Sequence, residues 1–296
     1  MKGEGKGLGL ALGGGGLLGV SHIGVLEVLE ENGIRPALVT GTSAGSLVAA
    51  LYAAGITPSE MREMALKLRR EDLFAWNFTP GTFLLLLIQT LRDLVRLFQL
   101  LPRGLLSGAR IACYVNEAAG RKTVAQLSFP LGLVATDLLT GNRVVFTNRP
   151  PARPVSGAVF LKDALLGLAV RASAAIPAVF DPVPYRGLLL ADGGLVEMVP
   201  AALARLLGAK VVVAVSLGSR EPVPEPESVV QVILRAINIM TRQGVQRDLT
   251  CADLVINPPA ASVGLGDFDS IPELLEDGRK AALQALPDIK KYLNRR

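Results

Sequence analysis

Histidine is nearly absent from the sequence: of its 296 residues, only His22 is a histidine. This scarcity excludes metal sites built from several histidines, and it leaves His22 as the one base that a Ser-His-Asp triad could use. Cysteine is almost as rare. Cys113 and Cys251 lie far apart in the sequence, so no disulfide framework is indicated and the expected compartment is the reducing cytoplasm.

Other kinds of pattern are missing as well. Aromatic residues make up 5% of the chain, and the net charge of +5 comes from scattered positive residues rather than from a basic cluster. A nucleic-acid-binding surface is therefore not expected, and the charge indicates at most a mild attraction to anionic surfaces. No run of 18 uncharged apolar residues occurs, which argues against a membrane span, and Glu4 with its glycine-rich surroundings is unlike a signal peptide.

The segments that are present alternate between short apolar runs and helical patterns along the whole chain. This alternation predicts an α/β protein with a mainly parallel central sheet. Half of the residues are hydrophobic, which is enough for one large core. Because the sequence shows no repeat and no second domain boundary, we expect a single domain over residues 1–296. A run of small apolar residues at 161–175 predicts a buried helix within it.

Residues 37–54 carry the most specific local pattern. An apolar run leads into Gly41-Thr42-Ser43-Ala44-Gly45, and a helical sequence follows at once. This is the G-x-S-x-G pattern of a nucleophile elbow, in which a serine at a tight strand-to-helix turn presents its hydroxyl to a substrate. Gly41 and Gly45 would be needed because the strand and the helix pass too close for a Cβ atom. The alternative is a tight turn with a purely structural serine.

A run of glycines follows the first predicted strand. Gly14, Gly16 and Gly19 fit the G-x-G-x-x-G fingerprint of dinucleotide-binding proteins. That fingerprint also needs a carboxylate at the end of the second strand, and none is present there. The other use of bare glycine backbone is an oxyanion hole, in which N–H groups point at a developing negative charge.

An acidic residue is predicted at the end of a later strand. Asp192 follows an apolar run and precedes Gly193 and Gly194. If burial raised its pKa, this carboxylate could take the proton of Ser43 directly. An aspartate in a simple Asp-Gly turn is the other interpretation, and spacing does not decide between them. His22 lies in a predicted helix, where a packed or hydrogen-bonded role is more typical than catalysis.

Residues 74–106 form the most apolar stretch of the chain. Within it, residues 83–101 have helical periodicity, with Arg92, Asp93 and Arg96 on the opposite face. Those charges argue against a bilayer crossing. A buried helix and a lid or interfacial helix that contacts lipid are the two interpretations, so peripheral membrane contact is one expectation for this stretch.

The motifs taken together resemble the patatin-like phospholipases, in particular the short bacterial members. The glycine loop, G-x-S-x-G and D-G-G occur in that order, and blocks such as GTSAGSLVAALYAAG and ADGGLVEMVPAALARLLGAKVVVAV look like family blocks. The resemblance covers residues 8–290, apart from 74–106. It implies a three-layer α/β/α fold and a Ser-Asp dyad without histidine.

Carried over position by position, the resemblance implies that Ser43 is the nucleophile and Asp192 its base, with no metal or cofactor. The N–H groups of Gly14, Gly15 and Gly16 would form the oxyanion hole. Gly19, Gly41, Gly45, Gly193 and Gly194 would be the remaining motif glycines. Leu18 departs from the family pattern, because many members have Arg or Lys there, so phospholipid and neutral ester both remain open as substrates.

The expected function is therefore that of a serine acyl hydrolase which acts on a lipid or another acyl ester. Two hypotheses from other classes remain beside it. One is nucleotide binding through the glycine loop, and the other is a catalytically silent scaffold that docks a membrane or a partner through residues 74–106.

Overall fold

The computed structural model describes residues 7–75, 103–218, 225–259, 263–264 and 266–294. These residues form eleven strands and nine α-helices. The strands are β1 Leu8–Leu12, β2 Leu38–Thr42, β3 Gly104–Leu106, β4 Leu131–Asp137, β5 Arg143–Thr147, β6 Ala158–Leu161, β7 Ala178–Phe180, β8 Val183–Tyr185, β9 Leu188–Asp192, β10 Val211–Val215 and β11 Leu254–Ile256. The helices are α1 Ser21–Glu31, α2 Ala44–Ala53, α3 Pro58–Lys67, α4 Arg70–Leu73, α5 Ala109–Ala118, α6 Leu166–Ser173, α7 Ala201–Leu206, α8 Val229–Leu249 and α9 Ile271–Asn294.

The main sheet has the order β11-β10-β1-β2-β4-β5-β6. All neighbours along it are parallel except β4 and β5, which form an antiparallel pair around the turn at Gly141. Strand β9 pairs with the last part of β4 and with β8, both antiparallel. Strands β3 and β7 form a separate parallel pair. The predicted α/β class with a mainly parallel sheet is confirmed.

Both faces of the sheet are covered, and the side-chain alternation of the strands shows how. In β1, Leu8, Leu10 and Leu12 point into the larger core, which α1, α2, α6 and α9 also line. Ala11 points to the other face, where α7 and the end of α8 pack. Because successive strand residues face opposite sides, a strand buried on both faces is apolar throughout. The result is the three-layer α/β/α arrangement.

The helix predicted over residues 161–175 starts later than expected. Leu161 ends strand β6, where it pairs with Phe146, and α6 begins only at Leu166. A short apolar run fits a buried strand and a buried helix equally well, so periodicity alone placed this boundary wrongly.

The predicted apolar helix at 83–101 lies outside the described residues. At the border of that stretch, Phe74 packs against Phe180 and Phe268, with ring centroids 6.0 Å apart in each pair. At the other border, β3 pairs with β7. Among the described helices, none is long and apolar enough to cross a membrane.

Helix α1, which follows the glycine loop, lies against the last helix, α9. A Cβ atom at Gly24 would lie 2.1 Å from the carbonyl oxygen of Leu275, and one at Gly278 would lie 1.9 Å from that of Ser21. Only glycine at both positions lets the two backbones approach this closely. The contact fixes α1, and with it the end of the glycine loop, against the C-terminal part of the chain.

We predict that Gly278→Ala lowers the free energy of unfolding by about 1–3 kcal/mol, since the added methyl group overlaps backbone that cannot turn aside. The matched control is Gly244→Ala in α8, where a Cβ would meet only the end of the Arg247 side chain at 3.9 Å. Alanine favours a helix over glycine, so this control should gain up to about 1 kcal/mol. Urea unfolding measures both, and equal effects would contradict the close-contact explanation.

Candidate active site

Ser43 lies alone between β2, which ends at Thr42, and α2, which begins at Ala44. Its backbone angles, φ 52° and ψ −124°, are rare for any residue except glycine and cost on the order of 1–3 kcal/mol. Two hydrogen bonds hold the turn: the Ser43 N–H donates to Ser173 Oγ at 3.0 Å, and that hydroxyl donates to the carbonyl of Val134 at 2.6 Å. The serine is thus kept in a strained conformation by partners distant in sequence.

The glycines around this turn lie where backbones cross. A Cβ atom at Gly45 would lie 2.2 Å from the Leu12 carbonyl oxygen, and one at Gly41 would lie 2.5 Å from that of Gly45. A Cβ atom at Gly19 would lie 2.5 Å from the Cβ atom of Ala44. The strand, the helix and the glycine loop therefore pack in direct backbone contact, as the spacing of these glycines predicts.

Strand register brings Asp192 to Ser43. Strand β2 pairs with the first part of β4, and its last residue, Thr42, lies opposite Val134. Strand β9 pairs with the last part of β4, and its last residue, Asp192, lies opposite Ala135. Because Val134 and Ala135 are consecutive, the carboxyl ends of β2 and β9 meet at one point of the sheet.

The carboxyl group of Asp192 is almost fully buried at that point, with 6% of the residue exposed. Burial raises its pKa from 3.8 to about 6, although the nearby Ser43 hydroxyl and the Gly194 N–H lower it. Oδ1 accepts from Gly194 N at 2.7 Å, whereas Oδ2 is buried without a hydrogen-bond partner among the described residues. A buried carboxylate oxygen with no donor is a strong proton acceptor.

The glycine loop offers fewer free amides than expected. The N–H of Gly14 donates to the carbonyl of Met198 at 3.0 Å, so it does not fit the predicted role as an oxyanion-hole donor. The N–H groups of Gly15 and Gly16 make no hydrogen bond to any residue that the structure describes, and both glycines are partly exposed. These two amides are the ones free to bind a ligand oxygen.

A segment just after the D-G-G turn, residues 197–200, holds the motifs together. The bond from the glycine loop to Met198 is one of three that its carbonyls accept from the glycine loop and β2. The Thr42 hydroxyl donates to Glu197 O at 2.9 Å, and the Thr40 hydroxyl donates to Pro200 O at 2.8 Å. The end of β2, the glycine loop and the turn after Asp192 are therefore connected through one piece of backbone.

This segment is itself held by two charged side chains. Asp248 Oδ2, at the end of α8, accepts from the N–H groups of Met198 and Val199 at 2.9 and 3.1 Å. Glu197 pairs with Arg143 at 2.7 Å, and its carboxyl group is nearly buried. Both carboxylates act on backbone or on a paired cation, so they position the segment rather than face the serine.

His22 is fully buried, and its surroundings keep it neutral. Burial lowers its pKa to about 4, although a hydrogen bond to the backbone at Gly13 raises it. Because a carbonyl oxygen only accepts, Nε2 carries the proton and donates to Gly13 O at 2.8 Å. Nδ1 is buried with no partner in the described part of the chain. The packed, hydrogen-bonded role expected for a helical histidine fits this geometry.

An apolar cavity of about 140 Å³ has Ser43 in its wall. Nearly all of the other side chains around it are aliphatic, aromatic or Met, and they come from several elements, among them α1, α2, α3, α5 and β7. They include Leu47, Met61, Met64, Leu68, Ile111 and Phe180. Such a cavity is suited to a hydrocarbon chain and not to a charged group. The described residues contain no cluster of His, Cys, Asp and Glu that could hold a metal ion.

The sequence matches the family model described as patatin-like phospholipase over residues 10–205. The chain belongs to this family. It is 32% identical over 235 residues to an uncharacterized NTE family protein of Mycobacterium tuberculosis, which covers 79% of this chain and 55% of that protein. It is also 32% identical over 219 residues to patatin-like phospholipase domain-containing protein 6 of Homo sapiens, covering 73% of this chain and 14% of that protein.

The chain thus spans only about half the length of the mycobacterial relatives that it matches. Among solved structures, it is similar to VipD from Legionella pneumophila, with a TM-score of 0.50 and 16% identity, over 96% of this chain and 67% of that one. This likeness concerns the fold alone. The predicted family and its α/β/α fold are confirmed.

Sequence reasoning missed three of the residues that shape the site. Ser173 supports the serine turn, Met198 accepts the Gly14 amide, and Asp248 holds Met198. Each contacts a partner at least 50 residues away in the sequence, and none of the three belongs to a motif. No local sequence pattern predicts such a contact. The sequence indicates a role for Asp192 as a base only if burial raises its pKa. The strand register places Asp192 where it is buried.

We predict that Asp192→Asn is more stable than the wild type at pH 8 and loses this advantage towards pH 4. The folded protein holds the Asp192 proton more tightly than the unfolded chain does. That stabilisation is complete below pH 3.8 and is lost as the pH rises through about 6. At pH 8 the difference is on the order of 3 kcal/mol.

Urea unfolding at pH 5 and pH 8 measures this difference, with Asp288→Asn at an exposed position of α9 as the control. The control should change little between the two values. An Asp192→Asn advantage that does not depend on pH would show that its carboxyl group does not titrate differently in the folded protein.

Proposed function

We propose that the chain hydrolyses lipid esters through a dyad of Ser43 and Asp192 and an acyl-enzyme intermediate. The observation that carries this proposal is the register of β4, which sets the ends of β2 and β9 side by side. A strained serine in the wall of an apolar cavity then lies near a buried carboxylate, one oxygen of which has no hydrogen-bond partner among the described residues. Membership of the patatin-like phospholipase family supports the same function.

In the first step, Ser43 Oγ attacks the ester carbonyl carbon while its proton passes to Asp192 Oδ2. The electron pair of the C=O bond moves to oxygen, and the N–H groups of Gly15 and Gly16 stabilise this oxyanion. Each such donor contributes on the order of 3 kcal/mol in other hydrolases. The tetrahedral intermediate then expels the alcohol, which leaves with the proton held by Asp192.

In the second step, a water molecule attacks the acyl-enzyme and Asp192 again accepts the proton. Collapse of the second tetrahedral intermediate releases the fatty acid and returns the proton to Ser43. A carboxylate with a pKa near 6 is ionised at neutral pH and is yet a better proton acceptor than an ordinary aspartate. The dyad therefore needs no histidine, in agreement with the buried position of His22.

The apolar cavity is the site that we assign to the acyl chain. Ser43 lies in its wall, so a carbonyl next to the hydroxyl would have its hydrocarbon chain among Leu47, Met64 and Phe180. Leu18 places no charge at the loop position where many family members have Arg or Lys. Selectivity should therefore depend on the acyl chain more than on an anionic head group.

We predict that Ser43→Ala and Asp192→Asn each abolish hydrolysis of a chromogenic acyl ester. The first change removes the hydroxyl that attacks the ester, and the second removes the carboxylate that accepts its proton. Ser156→Ala, at an exposed loop position, is the matched control and should keep full activity. A fluorophosphonate probe should label the wild type and not Ser43→Ala. Normal turnover by either variant would contradict the dyad, and an unlabelled wild type would favour the silent scaffold.

Nucleotide binding through the glycine loop remains the other alternative. Calorimetry with NAD and ATP tests it directly, and we expect no heat of binding. Gly16 lines the same cavity as Ser43, which supports assigning the loop amides to the hydrolase instead.

We predict that kcat/KM rises with pH through about 6, as Asp192 loses its proton and becomes a base. The pKa of His22, about 4, is too low to produce this rise. His22→Gln keeps an N–H donor for the Gly13 carbonyl, so it should retain the profile. If that variant loses the rise near pH 6, a triad through His22 replaces the dyad.

A further inference from the structure

Helix α8 exposes an apolar face that the hydrolase mechanism does not use. Val229 and Met240 are 74% and 73% exposed, and Val232, Ile233 and Ile239 are also exposed. Positions 229, 232, 233 and 240 recur at helical spacing and share one side. Among the described residues of this 21-residue helix, only Asp248 near its end is buried. Large exposed apolar faces mark surfaces of interaction.

This face lies beside the proposed active site. Helix α8 contacts strand β7, whose Phe180 lines the apolar cavity, and the turn at Gly193–Leu195, which follows Asp192. A groove of about 420 Å³ separates α8 from that turn, with Met240 and Leu195 in its walls. Whatever covers α8 is therefore brought next to the catalytic groups.

The charges of α8 indicate which kind of partner fits. From 229 to 247 the helix has no acidic residue, and it carries Arg235, Arg242 and Arg247. The last two are exposed. Two copies of this helix packed face to face would bring like charges together, which is unfavourable. An anionic bilayer offers apolar chains to the apolar face and negative head groups to the arginines.

We propose that α8 is an interfacial helix that lies on an anionic lipid surface and holds the active site against it. This surface is formed by residues of α8, between 229 and 240. Its importance for catalysis rests on the proposed function, but the binding itself does not. The test therefore uses Ser43→Ala protein, so that a failure of lipid binding and a failure of hydrolysis are read separately.

The experiment measures co-sedimentation with vesicles of phosphatidylcholine mixed with about one third phosphatidylglycerol, and with vesicles of phosphatidylcholine alone. The variant replaces Val229, Val232 and Met240 with Gln. Glutamine favours a helix at least as well as valine, so α8 should stay folded, which circular dichroism checks. The affinity of the variant for anionic vesicles should fall by about tenfold or more, because its apolar face no longer inserts into the bilayer.

The matched control replaces three exposed leucines elsewhere, Leu66, Leu139 and Leu283, with Gln. It should bind like the parent protein. A further variant, Arg242→Gln, should bind anionic vesicles more weakly and with less dependence on salt, since it has lost one contact to the head groups.

Four results would overturn the proposal. They are failure of the parent protein to bind anionic vesicles, equal binding by parent and α8 variant, an equal loss in the leucine control, and preference for phosphatidylcholine alone. Sedimentation velocity without lipid tests whether a second copy of the chain covers this face instead. If the parent is a dimer and the α8 variant a monomer, the face covers a second copy and not a membrane.

Discussion

The arrangement of the site depends on three backbone carbonyls in residues 197–200. They accept hydrogen bonds from Gly14, Thr42 and Thr40, and thereby join the glycine loop and the serine strand to the turn after Asp192. All three donors are buried, so losing any of these bonds would leave a polar group without water or partner. The proposed catalytic residues come from distant places in the sequence, and this one segment connects the elements that carry them.

The same region contains two features that lower the stability of the folded protein. Ser43 adopts backbone angles that residues with a side chain rarely adopt, and the carboxyl group of Asp192 is buried with one oxygen that has no partner in the described part of the chain. Neither feature stabilises the protein, and both suit a nucleophile and its base. The well-packed sheet, with its apolar strands covered on both faces, provides the stability that lets these features persist.

Much of this could be predicted from sequence. The motifs around Ser43 and Asp192 marked the ends of two strands, and alternation along the chain gave the class of fold. What local pattern does not contain is register: that β2 and β9 end at consecutive residues of β4 follows only from the assembled sheet. Local pattern likewise does not predict that the Gly14 N–H donates a hydrogen bond to the Met198 carbonyl. The helix predicted over residues 161–175 shows a different failure: it begins only at Leu166, because a short apolar run fits either a strand or a helix.

The contact between α1 and α9 bears on how the protein is made. Synthesis proceeds from the N-terminus, so the serine turn and the glycine loop leave the ribosome long before Gly278, which α1 must meet. Strand β1 likewise waits for β10, about 200 residues later, as its neighbour. A nascent chain therefore carries Ser43, the proposed nucleophile, before the surrounding structure can form. The proposed active site can therefore be completed only after α9 has been synthesised.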